Sequence, residues 1–436
     1  MCDGSGMAEQ LLGLDGFRVL DVLEPDGGEL VVTVETAVGW AGCAECGVRA
    51  EAQDRMPVTV RDLECFGRPV RLIWVKRRWR CPDPDCDVKT WTEVDAAMAS
   101  RVLLTRRAAV DVTVQVGRDA RPVSGQARRF GVSWATIDAA VEQFGRPLVD
   151  DPNRVGVVSS LGVDETSFKS ATPTSRTQYV TGMIDLDAKR VIDVIEGRSG
   201  ADLKGWLRSQ PPAWVKQIQV VAADLADSYR SGLKPLLDHA IKVADPFHVV
   251  RVGQRCVDKI RRRVQQELLG HRGRKHDPLY EIRKILLTGN ERLTARGRER
   301  MLDGLRAGDP DGEVVGGWLA KEMVRDVYLT DSVDDASWLL GRAIRACITD
   351  SVPEIKSLGR TLLKWRTEIL NHHRTGASNG PTEGLNLCIK KVKRAGHGYR
   401  CFDHYRLRVL LHTGGCNWAR YTRPATPIRI HCSPLQ

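Results

Sequence analysis

Between residues 155 and 250 the chain alternates short apolar runs with helical patterns, and no other stretch restricts its fold as much. Residues 155–163 form an apolar run that ends at Asp164-Glu165. Runs at 178–184 and 190–196 flank Asp185-Leu186-Asp187-Ala188, which reads as the turn of a hairpin. A helical pattern at 202–209 follows, then an apolar strand at 218–223 that ends at Asp224. A helix through 229–239 and a strand at 241–245 lead into Phe247-His248-Val249-Val250, the opening of a long basic helix. This order predicts a mixed sheet. Open α/β sheets place their chemistry at strand ends, so Asp164 and Asp224 are the first candidates.

A third acid lies far downstream. In the stretch 378–394 a Gly-Pro pair suits the first turn of a helix, where proline's missing N–H has no intrahelical partner to lose. Leu385, Cys388, Ile389 and Val392 recur at i, i+3, i+4, i+7, the stripe of a packed helix. The other face carries Glu383, Asn386, Lys390 and Lys393, so one carboxylate stands at the helix start above a basic ridge of Lys390, Lys391, Lys393 and Arg394. Glu383 also suits position N3 of any helix, as a capping residue.

Asp164, Asp224 and Glu383 together would give a hard-oxygen set suited to Mg²⁺ or Mn²⁺. Two such ions roughly 3.5–4 Å apart can activate an attacking oxygen and stabilise a leaving one at phosphorus. The rivals are Asp185, Asp187 and Asp227, which turns or an exposed helix explain, and Asp245, which also ends an apolar strand. Glu165 should face the other side of the sheet, and His248 the rim or a structural partner. Strand, hairpin, helix, strand, helix, strand is the order of an RNase H-like sheet. The helix-rich segment 251–371 reads as an insertion into it.

The N-terminal part follows a different grammar. Cys43-Ala44-Glu45-Cys46 and Cys81-Pro82-Asp83-Pro84-Asp85-Cys86 bracket a strand pair near 57–76. Two thiol pairs on tight turns, a hairpin apart, predict a zinc ribbon with four-cysteine ligation. Such a module is expected to have too little core to stand without its metal. The expectation of reduced thiols rests on the N-terminus, which has no signal-peptide pattern, and on the lack of any 18-residue apolar run to span a membrane. An intracellular chain, cytoplasmic and near the nucleoid, follows.

Residues 122–137 have the form of a helix-turn-helix: an alanine where the helices touch, Gly131 for a left-handed turn residue, and Ser133 as the cap of the second helix. Ser133, Trp134, Ala135 and Thr136 would then begin a recognition helix in a major groove. A linker is expected from 147 to 153. The formal net charge of +11 calls for a polyanionic partner, although it would suit ribosomal or membrane-surface proteins equally. The basic run 251–263 reads equally as a phosphate contact or as a solvated helix face.

Four segments, GVDETSF at 162–168, VVAADLADSYR at 220–230, ADPFHVVR at 244–251 and SNGPTEGLNLCIKKVKRAGHGYRCFDHYRLRVLL at 378–411, resemble insertion-sequence transposases of the ISL-three type, in the DDE (RNase H-like) superfamily. The resemblance implies Asp164 and Asp224 as the paired aspartates and Glu383 as the terminal acid. It also implies excision and integration of an element through its terminal inverted repeats and a double-stranded DNA target, and a homodimer that pairs two DNA ends. The fold expected is multidomain α/β. A zinc ribbon (1–100) and a helix-turn-helix (101–150) precede a mixed-sheet core (151–250), a helical insertion (251–373) and a C-terminal part of the core carrying Glu383 (374–436). Two other classes compete: a non-catalytic DNA-binding derivative that uses only the N-terminal modules, and a structure-specific nuclease that shares the sheet.

Overall fold

The computed structural model describes residues 4–25, 28–98, 103–224 and 227–421. The chain divides into two units, with breaks after Arg154 and after Leu387. The stretch from Cys388 onward thus joins the N-terminal unit, whereas the sequence reading grouped 374–436 with the sheet.

In the first unit, strands β1 (Phe17–Leu23), β2 (Leu30–Thr36), β3 (Glu51–Cys65), β4 (Arg68–Arg80) and β5 (Thr90–Thr92) form one sheet of order β1-β2-β4-β3, with β5 on β4. Period-two alternation along β4 buries Val70, Leu72 and Trp74 against Phe17, Val19, Val32, Val34 and Val60. The cysteine knuckles form a separate cluster, Cys43, Cys81 and Cys86 with Val88 and Trp91. The expectation was of too little core to stand without the metal; the sheet's apolar core lies apart from the cysteines. The β1–β2 hairpin, upstream of the cysteines, supplies apolar surface that a bare ribbon would not have.

The helix-turn-helix forms as its sequence dictates. Helix Val123–Phe130 ends at Gly131, whose φ of 61° is left-handed, and Ser133 Oγ caps helix Trp134–Val149 by accepting from Thr136 N at 3.1 Å. The second helix runs through Pro147, where a linker was expected. A proline in the last turn disturbs little, since few residues remain beyond it. Helix Phe402–Thr413 packs against it at Gly145, where any Cβ would stand 2.8 Å from Leu411. The sheet and the helices are joined at Asp62, whose carboxylate accepts from Thr105 Oγ1 (2.5 Å) and Arg107 Nε (2.9 Å).

The second unit contains β6 (Ser160–Lys169), β7 (Gln178–Asp185), β8 (Arg190–Glu196), β9 (Val220–Ala223) and β10 (Ile241–Ala244), in the order β10-β9-β6-β7-β8. Strands β6, β9 and β10 run parallel and the β6–β7–β8 meander antiparallel, the RNase H-like arrangement. Leu161, Val163, Met183 and Val221 are buried with Leu203, Leu207 and Trp206 of helix Gly200–Ser209. A second apolar core holds the helical insertion. Within it the fully buried Lys321 donates to the carbonyls of Leu286 (2.8 Å) and Thr288 (2.7 Å). Two arginines of the run 251–263 take part in this scaffold: Arg263 pairs with Glu313 and Glu354 at 2.8 Å, and the buried Arg261 with Asp258 at 2.8 Å. Arg251, Arg255, Lys259 and Arg262 are exposed.

One glycine decides how the distant C-terminal segment meets this sheet. A Cβ on Gly162 of β6 would lie 2.6 Å from Thr382 Oγ1, 2.7 Å from Leu186 Cδ2 and 3.1 Å from Asn379 Oδ1. Only a glycine lets the start of helix Gly380–Ala395 lie this close to the strand. Gly162→Ala is expected to cost about 1–3 kcal/mol as overpacking, read as a lower urea midpoint, with faster amide exchange concentrated in residues 380–387.

Candidate active site and zinc centre

Parallel pairing of β6 with β9 ends at Val163 opposite Ala223, so Asp164 and Asp224 follow side by side. Asp164 lies within a strand rather than at its end, because β6 continues to Lys169 as the partner of β7. It does stand where the parallel ladder stops. Its Oδ1 accepts from the Glu165 N–H at 2.8 Å and its Oδ2 from Asn386 Nδ2 at 2.6 Å. Burial raises the Asp164 pKa above the usual carboxylate range, and the charges of Asp224 and Glu165 add to the rise. An acid held this way gains from a nearby cation.

His248 faces the pair, its Nε2 4.0 Å from Asp224 Oδ2. Burial alone would depress its pKa, but a hydrogen bond to Asp245 and the charges of Asp224, Asp245 and Asp164 raise it. Asp245, the strongest rival for the metal, is 3% exposed and its oxygens are already engaged. Oδ2 accepts from the His248 backbone N–H (3.3 Å) and pairs with His248 Nδ1 (3.1 Å), while Oδ1 accepts from Asn379 N at 3.0 Å. It is therefore an anchor that caps helix Pro246–Leu269 and holds the segment leading to Glu383.

The remaining rivals are occupied too. Asp185 closes the β7–β8 turn by accepting from Ala188 N and pairing with Arg190, and Asp187 accepts from Ser159 Oγ at 2.7 Å. Glu165 lies 3.7 Å from Arg198. The side chain of Asp227 lies outside the described residues.

Glu383 is exposed in the first turn of helix Gly380–Ala395. Asn386, one turn further on, donates to Asp164 and accepts from Thr166 Oγ1 at 3.1 Å. That turn brings the face bearing Glu383 to β6. Asn379 and Thr382, both fully buried and hydrogen-bonded to each other, fix the helix start. The sequence reading placed Asn386 on the polar face with Glu383 but gave it no role, and did not single out Asn379 or Thr382. Uncharged polar residues flanking an acid at a helix start were the available signal. Among the described residues the three acids do not lie within 4.8 Å of one another, as a single-ion cage would require. Their hard oxygens suit Mg²⁺, which keeps open positions for phosphate.

The cysteines do meet that distance. Cys43, Cys46, Cys81 and Cys86 offer sulfurs all within 4.8 Å, with Cys43–Cys86 at 3.7 Å and Cys46–Cys81 at 3.5 Å. A tetrahedral zinc with Zn–S near 2.3 Å needs edges of about 3.8 Å, so the set fits the ion. Backbone N–H groups of Cys46 and Glu45 draw the Cys43 thiol down to about 7, towards the thiolate that zinc binds. The expected recognition residues Ser133, Trp134 and Ala135 are exposed and Thr136 is half-buried. On the basic ridge Lys390, Lys391 and Arg394 are exposed and Lys393 half-buried.

Two outcomes follow from this geometry. Asn386→Ala leaves an oxygen of the half-buried Asp164 carboxylate and the buried Thr166 hydroxyl without this partner and should lower stability by about 1–3 kcal/mol in thermal unfolding. Asn386→Asp, which sets like charges in contact, should lower it further. Cys81→Ser should reduce bound zinc, measured by atomic emission, from about one per chain to near zero. The cooperative unfolding transition of the sheet should remain, because the Leu72–Trp74 core does not include the cysteines.

Comparison with known proteins shows the family. Residues 161–409 match a family model described as transposase, of the ISL3 type, and residues 41–86 match the zinc-finger of transposase IS204/IS1001/IS1096/IS1165. The chain is similar to the transposase for insertion sequence element IS1001 of Bordetella parapertussis, with 23% identity over 92% of this chain and 97% of that protein. It is also similar to the transposase for IS1557 of Mycobacterium tuberculosis, with 25% identity over 89% and 91% respectively. A solved Drosophila P element transposase strand transfer complex aligns with a TM-score of 0.37 and 11% identity, over 70% of this chain and 90% of that one, too distantly to carry weight.

Proposed function

Because the chain belongs to the ISL3-type insertion-sequence transposases, we propose that it binds the terminal inverted repeats of its own element and catalyses DNA cleavage and strand transfer at Asp164, Asp224 and Glu383. The observation that carries this reading is the contact between Asn386 and Asp164, which ties the Glu383 helix to the strand of the first aspartate. Two Mg²⁺ or Mn²⁺ ions held by the three carboxylates would supply Lewis acidity at both the attacking and the leaving oxygen.

The chain's own residues do the rest. Asn386 orients the Asp164 carboxylate and, being neutral, leaves its charge for a cation. Asp245 orients His248 beside Asp224 and holds the Asn379 N–H, so one buried carboxylate positions both sides of the site. Water or a DNA 3′ hydroxyl attacks the phosphodiester, and the 3′ oxygen of the broken bond departs. In the first unit, the zinc ribbon and the helix beginning at Trp134 read the repeat ends, and the exposed Lys390, Lys391 and Arg394 contact phosphates. Two DNA ends call for a homodimer. Among the described residues no helix is long and apolar enough to cross a membrane, and a place at the nucleoid accords with a DNA substrate.

The substrate is the inverted repeats that bracket the reading frame. With Mg²⁺ the wild-type chain should nick these ends. Asp164→Asn, Asp224→Asn and Glu383→Gln should each lower the nicking rate more than about a hundredfold, since each removes a ligand supporting several kcal/mol of transition-state stabilisation. Gel-shift affinity for the same ends should stay within about threefold of wild type, because the acids make no binding contact. Undiminished cleavage in all three variants would overturn the assignment. Binding without cleavage by the wild-type chain, with either metal, would instead favour a non-catalytic DNA-binding protein. Cleavage of branched DNA in preference to the repeats would favour a structure-specific nuclease.

A further inference from the structure

A cleft of about 520 Å³ lies inside the first unit, beside the start of the helix-turn-helix's second helix. Its walls include Val123, Trp134, Asp138, Tyr399, His404 and Arg408. Trp134 and Asp138 are one turn apart on that helix and so share a face. Trp134 is 53% exposed at the helix's first residue, so its ring offers a free face beside the cleft.

Several polar groups in the walls are held in place. Asp138 Oδ2 lies 3.1 Å from His404 Nδ1, and Tyr399 donates from its hydroxyl to the Val392 carbonyl at 3.4 Å. Arg408 is 5% exposed; its Nη2 donates to the Arg121 carbonyl at 3.0 Å, and its Nε has no hydrogen-bond partner. The size is that of a small-molecule site, and aromatic and apolar walls are mixed with polar ones, His397 and Arg400 among them. A flat heteroaromatic ring suits the side formed by Trp134 and Asp138. It can lie on an aromatic face while its edge gives an amino hydrogen to Asp138.

We propose that this cleft receives a single nucleobase extruded from the DNA, stacked on Trp134 or Tyr399 and hydrogen-bonded along its edge by Asp138. The proposal rests on the DNA-reading role given above to the helix that starts at Trp134. It adds to that role a pocket for a base out of the stack. An extruded base costs unstacking and unpairing energy, and a base already mispaired costs less, so such a site binds a mismatch more tightly than a matched pair.

The full chain should first be used to recover a tightly bound duplex from a random library, and single mismatches should then be walked along that duplex. Wild-type chain should bind one mismatched position, or two neighbours, about tenfold or more tightly than the paired duplex. The gain, taken as a ratio within each variant, should fall below about twofold in Trp134→Ala and in Asp138→Asn, and persist in Trp134→Phe, which keeps a stacking face. Tightening at no position, or tightening undiminished in both Trp134→Ala and Asp138→Asn, overturns the proposal while leaving DNA binding intact. Saturable binding of free deoxynucleoside monophosphates without a tight mismatch position gives the cleft to a free nucleotide and also overturns it. Failure to bind any duplex overturns the DNA-reading role, and the pocket's part with it.

Discussion

The close approach of helix Gly380–Ala395 to strand β6 is the contact from which the rest of the sheet unit's chemistry follows. A carboxylate buried on a sheet is unstable unless something shares its charge or its hydrogen bonds. Here an amide does so: Asn386 donates to Asp164 at 2.6 Å and turns its oxygen to Thr166. A lysine or arginine in that place would have neutralised the acid and removed its use. Asparagine holds the carboxylate still and leaves the charge in place. Asp245 performs the complementary task from the opposite side, spending its oxygens on His248 and on the Asn379 N–H.

The first unit is built on a different economy of contacts. Its sheet has an apolar core around Leu72 and Val34, its cysteines form a cluster of their own, and Asp62 fastens the strands to the helices through Thr105 and Arg107. The helix-turn-helix is therefore held against a folded sheet, and its exposed face carries few constraints besides the Ser133 cap. That freedom lets Trp134 stand out into solvent at the helix start.

Much of this was legible in the sequence because it depends on local rules. Period-two runs, a glycine between two helical patterns, a serine at a helix start and two spaced thiol pairs each report a local backbone need, although β6 runs on past Asp164 and a helix replaces the linker expected from Pro147. The order of strands gave the mixed sheet. What sequence reasoning missed depends on long-range contact. Asp245 and Asp164 both follow apolar residues, and only the structure separates an acid with filled hydrogen bonds from one with a charge to give. Nothing local marks Gly162 as the partner of Asn379 and Thr382, more than two hundred residues away. Likewise Arg263 reads as part of a basic run until Glu313 and Glu354, from other helices, are found beside it. The separate core of the ribbon sheet was missed because its apolar half comes from strands upstream of the cysteines.

The bare α-carbon of Gly162 also bears on how such elements age in a genome. Copies that cease to move accumulate substitutions, and survival of the three proposed acids would not by itself mark a copy as intact. In this fold one added methyl on β6 would push away the helix start that carries Glu383, with Asp164, Asp224 and Glu383 all still in place. A fossil of this kind would look intact by its carboxylates and betray its silence only by a small residue grown larger.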